Sequence, residues 1–155
     1  MTVAEKLVAL LKAQGLTCAT AESCTGGGVG SAITAVPGSS TVFAGGIISY
    51  ANEVKRDVLG VSDHNLQTVG AVSSEVAAQM AVGARKLLKT DLAVSLTGIA
   101  GPDGGSEAKP VGLVWFGLAT KDGVRTEKAI FRGDRAKVRE QAVIHALGML
   151  TIGAT

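Results

Sequence analysis

Aromatic residues are scarce in this sequence: they make up 3% of its 155 residues, with one Trp, one Tyr and three Phe. Because 46% of the residues are hydrophobic, a core has to be built from Val, Leu, Ile and Ala. Aromatic side chains on which bases stack are missing, and the net charge of +2 is nearly balanced. Binding of nucleic acid is therefore not expected.

Cysteine and long apolar runs are scarce as well. Cys18 and Cys24 are the only cysteines, which is too few for a zinc site and fits a reducing cytoplasm. No uninterrupted apolar run approaches the roughly 20 residues needed to cross a bilayer. Residues 1–15 carry charges throughout, unlike a signal peptide. We therefore expect a cytoplasmic protein with no membrane contact, folded as one domain over residues 1–155.

Helix and strand patterns alternate along the chain. Helical spacing or helix signals occupy residues 1–15, 27–36, 53–59, 62–69, 73–88 and 136–150, and strand-like runs occupy 16–22, 44–50, 91–95, 111–120 and 124–131. This order predicts an α/β protein, a sheet sandwiched between two layers of helices. Asp122-Gly123 predicts a β-hairpin, so at least one strand is expected to be antiparallel.

Glycine, in contrast, is abundant, with 21 residues. Gly26-Gly27-Gly28 follow Ser23 at a predicted strand-to-helix junction, where amide groups favour an anion and a ligand can approach the backbone. The same residues also suit a plain bend or a phosphate cradle. The Walker pattern is absent, Ser31 replaces the third glycine of the dinucleotide pattern, and the residues before Ser23 do not form a G-x-S-x-G elbow.

A serine nucleophile needs an adjacent base. His64 lies in a polar segment and His145 inside the last helix, so neither suits Ser23. A Ser–Lys pair is a recognised substitute for Ser–His, and Lys55 is the candidate, although it also suits a solvated helix end. Cys24 is either a rival nucleophile or a small packing residue.

The position of Lys55 bears on its pKa. Asn52 is predicted to cap the following helix, which places Lys55 in the first turn, where the positive helix end disfavours an ammonium group. That effect is small, so burial has to supply most of any decrease in pKa.

Three loops follow predicted strands, and ligands of open α/β sheets bind beyond the carboxyl ends of the parallel strands. Ser23, the segment 50–55 and the Gly-rich segment 97–105 are therefore expected on one rim. Asp103 and Glu107 lie in or near the last loop, but two acids on a flexible glycine loop are typical of a solvated surface. No metal site is expected.

Several long motifs stand in one order: TAESCTGG at 20–27, YANEVK at 50–55, GAVS at 70–73, GIAGPDGG at 98–105, KPVG at 109–112 and GDR at 133–135. Together they resemble the CinA C-terminal domain family, the nicotinamide-nucleotide amidohydrolases (NMN deamidases). The resemblance covers nearly the whole chain. Many members carry a further molybdopterin-binding-like domain, for which 155 residues leave no room, so the stand-alone form is expected.

The resemblance implies hydrolysis of the carboxamide of nicotinamide mononucleotide to nicotinate mononucleotide and ammonia, with no metal or cofactor required. By motif, Ser23 is the implied nucleophile, Lys55 the general base, and Tyr50 assists proton transfer or positions Lys55. The positions expected to bind or support the substrate are Thr25, Gly26, Gly27, Ser39, Asn52, Thr97, Gly98, Gly101 and Arg135. Among them, amides near 25–27 would stabilise an oxyanion, and Arg135 or the turn at Ser39 would hold the phosphate.

The implied fold is the α/β/α sandwich of anticodon-binding-domain type, with a mixed, mostly parallel five-stranded sheet. The expected partner is a small-molecule substrate. A homo-oligomer is also expected, because helix faces of small residues tolerate close subunit packing. Two alternatives remain: a nucleotide-binding or regulatory module without turnover, and an interaction protein linked to competence or DNA damage.

Overall fold

The computed structural model of this chain describes residues 1–155. Its centre is a five-stranded sheet in the order β2-β1-β3-β4-β5, with bounds β1 Cys18–Glu22, β2 Phe43–Ile48, β3 Leu92–Gly98, β4 Leu113–Thr120 and β5 Gly123–Ile130. β1 pairs in parallel with β2 and β3, whereas β4 is antiparallel to both of its neighbours. Every strand except β4 thus points the same way, which confirms the mixed, mostly parallel sheet.

Six α-helices cover the sheet: α1 Val3–Gln14, α2 Gly28–Thr34, α3 Asn52–Asp57, α4 Asp63–Thr68, α5 Ser74–Leu88 and α6 Arg135–Gly153. A short 3₁₀ helix spans Ser39–Thr41. Helices α1, α2 and α6 pack on one face of the sheet and α5 on the other, which confirms the predicted three layers. The core under α1, α2 and α6 has 23 buried residues and the core under α5 has eight, so α6 belongs to the larger core. No helix has both the length and the apolar composition that crossing a membrane requires.

The helix starts follow the side chains available to accept the first free amides. Ser73 caps α5 and Asp134 caps α6 through their side-chain oxygens. The predicted cap at Asn52 is wrong, because Ala51 holds the extended cap conformation and Asn52 is the first helical residue. Lys55 consequently lies in the last turn of a six-residue helix, and the positive helix end does not explain its properties.

The predicted hairpin is confirmed between β4 and β5. Thr120 pairs with Gly123, and Lys121 and Asp122 form the turn between them. Gly123 has a φ of 133°, a conformation that side chains rarely adopt, which explains the glycine at this position. The hairpin returns the chain to the edge of the sheet from which α6 begins.

The parallel strands fix where the loops meet. β1 lies between β2 and β3, so the segments that leave Glu22, Ile48 and Gly98 emerge at one edge of the sheet. Ser39 instead precedes β2, and a strand of this length spans roughly 20 Å. The chain topology therefore places Ser39 towards the opposite edge of the sheet from Ser23.

Helix α5 holds the connection after α3 in place through Gly83. A Cβ built at Gly83 would overlap the backbone of Leu59, whereas a Cβ at Gly148 of α6 meets nothing within 4 Å. Gly83→Ala is expected to lower the free energy of unfolding by about 1–3 kcal/mol, because Leu59 must move. Gly148→Ala is expected to raise it by up to about 1 kcal/mol through helix propensity. Urea unfolding of both variants measures the difference, and equal effects would contradict the close packing.

Candidate active site

Lys55 and Ser23 meet at the carboxyl edge of the sheet. The Lys55 Nζ lies 3.0 Å from the Ser23 Oγ, and it also donates to the carbonyl oxygens of Ser49 at 2.7 Å and Tyr50 at 3.1 Å. Lys55 is 1% exposed. The two carbonyls orient the amine, so that its third position is directed at the hydroxyl of Ser23.

The carbonyl of Ser49 is presented by the sheet itself. Beyond the end of β2, the Ser49 amide donates to the Glu22 carbonyl at 2.7 Å, which continues the parallel pairing with β1 by one residue. The Ser49 hydroxyl donates to the same carbonyl at 3.2 Å. Since Ser23 directly follows Glu22, this extension fixes the Ser49 carbonyl, an acceptor of Lys55, relative to Ser23.

Burial lowers the pKa of Lys55 below its ordinary value. Removing an ammonium group from water disfavours its charged form, and no carboxylate lies within ion-pair distance of Lys55 to offset that cost. A neutral amine beside a serine hydroxyl has the properties of a general base.

Cys24, the rival nucleophile, is less suited. Burial raises the pKa of its thiol to about 11, so it is protonated near neutral pH, and the thiolate is the reactive form. Cys24 is 6% exposed. It combines a packing role with a place at the edge of the cleft.

A cleft of about 300 Å³ opens above Ser23 and Lys55. Most of the predicted substrate-binding positions outside the first glycine loop line it, namely Asn52, Thr97, Gly98, Gly101 and Arg135, together with Tyr50. Arg135 donates from Nη1 to the Gly101 carbonyl at 2.8 Å and makes no other hydrogen bond within the chain. Its remaining donors are available for a ligand.

Tyr50 and Thr97 border the cleft in different ways. Tyr50 offers its carbonyl to Lys55, while its side chain is 65% exposed at the mouth of the cleft. The Thr97 hydroxyl donates to the Ala71 carbonyl at 2.9 Å, which ties the end of β3 to the segment before α5. Thr97 thus supports the wall of the cleft.

Glu22 is a residue whose role the sequence left open. Its buried carboxylate accepts from the Thr25 hydroxyl at 2.6 Å and from the amides of Val29 at 2.9 Å and Gly30 at 3.0 Å. These amides belong to the first turn of α2, so the protein's own carboxylate occupies the anion site that the helix N-terminus offers.

The first glycine loop is therefore not placed as a phosphate cradle. Thr25, Gly26 and Gly27 do not line the cleft, and the Gly26 amide already donates to the Ser23 carbonyl at 3.1 Å. Gly26 and Gly27 have φ values of 59° and 101°, so glycine is required at both positions for the bend between β1 and α2. Ser39 lies outside the cleft as well, before β2.

Arg139 is a residue of this region that sequence reasoning missed. From α6 it donates to the carbonyls of Cys24 at 3.1 Å and Thr25 at 3.2 Å. His145, in contrast, packs on Phe116 with ring centroids 4.2 Å apart and contacts Glu127 at 3.0 Å, away from Ser23. No group of three or more His, Cys, Asp or Glu side chains is placed to hold a metal ion.

Comparison with known proteins identifies the family. Residues 1–152 match the CinA C-terminal domain, and this chain belongs to that family. It is 50% identical over 151 residues to the nicotinamide-nucleotide amidohydrolase PncC of Escherichia coli K12, covering 97% of this chain and 92% of the relative. It is also 56% identical over 131 residues to a competence-damage inducible protein of Halothermothrix orenii, of which the match covers 32%.

Solved structures share the fold. The competence/damage inducible protein CihA of Agrobacterium tumefaciens superposes with a TM-score of 0.94 at 42% identity, covering 98% of this chain and 93% of the other. A CinA superfamily protein of Klebsiella pneumoniae gives the same TM-score of 0.94 at 33% identity, covering 98% and 95%. These matches confirm the predicted family and fold class.

The burial of Lys55 predicts a pH-dependent stability. Below its lowered pKa, Lys55 is charged in both the folded and the unfolded protein, and the folded protein bears the cost of burying that charge. As the pH rises from this pKa towards 10.5, the ordinary value, the folded protein loses the proton first, so its stability increases. Lys55→Met removes the buried charge and is expected to stabilise the protein by on the order of 1 kcal/mol or more at neutral pH.

Urea unfolding of the wild type and Lys55→Met between pH 6 and pH 10 measures this effect. The advantage of the variant should shrink as the pH rises. Burial also raises the pKa of Cys18 to about 12 and of Cys24 to about 11, which lowers stability above pH 9 in both proteins. The Cys18 contribution cancels in the difference, but that of Cys24 does not, because its charge interacts with Lys55. The range from pH 6 to pH 9 therefore decides the comparison. A constant difference at every pH would contradict a lowered pKa of Lys55.

Proposed function

We propose that this protein hydrolyses the carboxamide of nicotinamide mononucleotide, giving nicotinate mononucleotide and ammonia, as a step of pyridine nucleotide salvage. The observation that carries the proposal is the buried 3.0 Å contact of Lys55 Nζ with Ser23 Oγ at the base of a cleft. It is supported by 50% identity over nearly the full length of a nicotinamide-nucleotide amidohydrolase. Binding of a nucleotide without turnover does not require a buried amine beside a serine hydroxyl.

The reaction begins with the neutral amine of Lys55. It takes the proton of Ser23 as the Oγ bonds to the carboxamide carbon, and a tetrahedral intermediate with a negatively charged oxygen forms. The Lys55 ammonium then gives a proton to the amide nitrogen. The C–N bond breaks, ammonia leaves, and the nicotinate group remains bound to Ser23 as an ester.

Hydrolysis of the ester repeats these transfers with water. Lys55, neutral again, takes a proton from the attacking water, and the bond between the acyl carbon and Ser23 Oγ breaks. The proton returns to Ser23, and nicotinate mononucleotide leaves. The carbonyls of Ser49 and Tyr50 hold the amine in one orientation through both halves, which is the positioning role assigned to Tyr50.

The phosphate of the substrate binds at Arg135 in this proposal. A guanidinium group suits phosphate because it offers several donors in a fixed plane, and Arg135 lies on the rim of the cleft. Asn52 and the backbone of Gly98 and Gly101 line the space between Arg135 and Ser23. The nucleotide therefore lies along the cleft, with its carboxamide at β1 and its phosphate at the start of α6.

We further propose that the protein acts as a homo-oligomer in the cytoplasm. An apolar groove lies between α1, α2 and α6, where Met1 and Ile144 are 76% and 57% exposed, and such surfaces favour contacts between chains. Both cysteines are free, which fits a reducing compartment. A mass of 15.6 kDa by light scattering would contradict the oligomer.

Ser23→Ala is expected to reduce ammonia release from nicotinamide mononucleotide by about 10³-fold or more, because the nucleophile is lost. Cys24→Ala, at the adjacent position, should keep activity within a few-fold. Ammonia is measured for the wild type and both variants, with calorimetric binding of the nucleotide alongside. Undiminished activity of Ser23→Ala would contradict the assignment, and binding without ammonia release by the wild type would indicate a binding module.

Arg135→Met tests the phosphate site. The KM for nicotinamide mononucleotide should rise about ten-fold or more, since charge-assisted hydrogen bonds contribute about 1.5–3 kcal/mol. Hydrolysis of the riboside, which lacks the phosphate, should change little. Arg125→Met on β5 is the matched control for loss of a surface arginine. An equal loss for both substrates would show that Arg135 acts only by holding the loop at Gly101.

A further inference from the structure

Two backbone amides beside Ser23 have no oxygen acceptor in the chain. Cys24 and Thr25 are 6% and 1% exposed, yet neither amide donates to a backbone or side-chain oxygen, whereas the amides of Ser23 and Gly26 on either side both donate to backbone carbonyls. The Cys24 amide contacts only its own sulfur, which is a weak acceptor, and buried amides are nearly always paired. Cys24, unlike Thr25, lines the cleft next to Ser23, so its amide is the one that can serve an acceptor on the substrate.

The carbonyls of the same two residues both accept from Arg139. Its Nε donates to Cys24 at 3.1 Å and its Nη2 to Thr25 at 3.2 Å, which are charge-assisted hydrogen bonds and stronger than neutral ones. Arg139 comes from α6, 115 residues along the chain from Cys24. A cation is thus fixed at the carbonyls of the same two residues whose amides have no oxygen acceptor.

Peptide groups link this cation to the cleft. The Thr25 carbonyl and the Gly26 amide belong to one peptide group, and that amide donates to the Ser23 carbonyl at 3.1 Å. The Ser23 carbonyl in turn shares a peptide group with the Cys24 amide. Hydrogen bonds in such a series polarise one another, so the positive charge of Arg139 strengthens the Cys24 amide as a donor. The bond from Arg139 to the Cys24 carbonyl acts in the same way on the Thr25 amide.

We propose that Arg139 is a positioning residue that holds and polarises the Cys24 amide as the oxyanion donor. The inference rests on the proposed function, since the oxyanion forms when Ser23 attacks the carboxamide. An amide of the residue that follows the nucleophile has this role in α/β-hydrolases. Arg139 does not itself touch the substrate in this proposal, because its side chain does not line the cleft.

Kinetics of three variants test the proposal with nicotinamide mononucleotide as substrate. Arg139→Gln should lower kcat about ten-fold or more and leave KM nearly unchanged, because an oxyanion donor acts on the transition state and loss of one donor costs about 10²–10³-fold. Arg139→Lys keeps the charge but cannot bond both carbonyls in one plane, so its kcat should lie between those of the wild type and Arg139→Gln. Lys137→Gln removes a positive charge from the exposed surface of the same helix and should leave both constants unchanged.

A second measurement does not depend on turnover. In ¹⁵N–¹H spectra, the Cys24 amide proton should move upfield in Arg139→Gln and stay in place in Lys137→Gln, because a less polarised amide is more shielded. Unchanged kcat, a change in KM alone, or an unmoved Cys24 resonance would each overturn the proposal. If the wild type releases no ammonia, the proposed function fails, and the spectra alone decide whether Arg139 polarises this amide. If Arg139→Gln does not fold, Arg139→Lys carries both measurements.

Discussion

The site depends on one constraint: the Lys55 amine is buried against a serine hydroxyl without a carboxylate as ion-pair partner. All three acceptors of Lys55 are neutral oxygens, so its proton is held less firmly than it would be beside a carboxylate. Such an arrangement is tolerated only when the surrounding backbone is fixed. The parallel pairing of β1 and β2, extended by one residue at Ser49, provides that fixed backbone.

Helix α6 connects the two loops that enclose the cleft. Arg135 and Arg139 are four residues apart, so they lie on one face of the helix. Arg135 donates to the Gly-rich loop at Gly101, and Arg139 donates to Cys24 and Thr25 in the loop that follows Ser23. Because α6 is also anchored in the larger core, the relative position of the two loops follows from core packing and does not depend on a bound ligand.

Much of the fold and the centre of the site could be predicted from the sequence. Periodicity and turn residues located the six α-helices and the five strands, and the motifs around Ser23 and Lys55 identified two side chains that the structure brings to 3.0 Å. The cap at Asn52 was wrong because the extended conformation of Ala51 starts the helix without a side-chain acceptor. Capping preferences of the residues do not predict a helix that starts in this way.

The parts that could not be predicted depend on contacts between distant residues. Thr25 belongs to a loop with the composition of a ligand-binding loop, but its hydroxyl turns inward to Glu22. In the sequence, Arg139 is indistinguishable from the other cations on an amphipathic helix. Only the packing of α6 brings it to Cys24. Sheet order and helix packing determine these contacts, and neither can be predicted from local sequence patterns.

Glu22 has a consequence for the end of the reaction. In the proposed reaction the substrate carboxamide is neutral, whereas the product carries a carboxylate beside Ser23. An unoccupied N-terminus of α2 would retain that carboxylate, since a helix end carries about half a positive charge. With the side chain of Glu22 already bound to the amides of Val29 and Gly30, this attraction is neutralised within the protein. In the proposed reaction, an acid can thus form beside Ser23 without being bound tightly there.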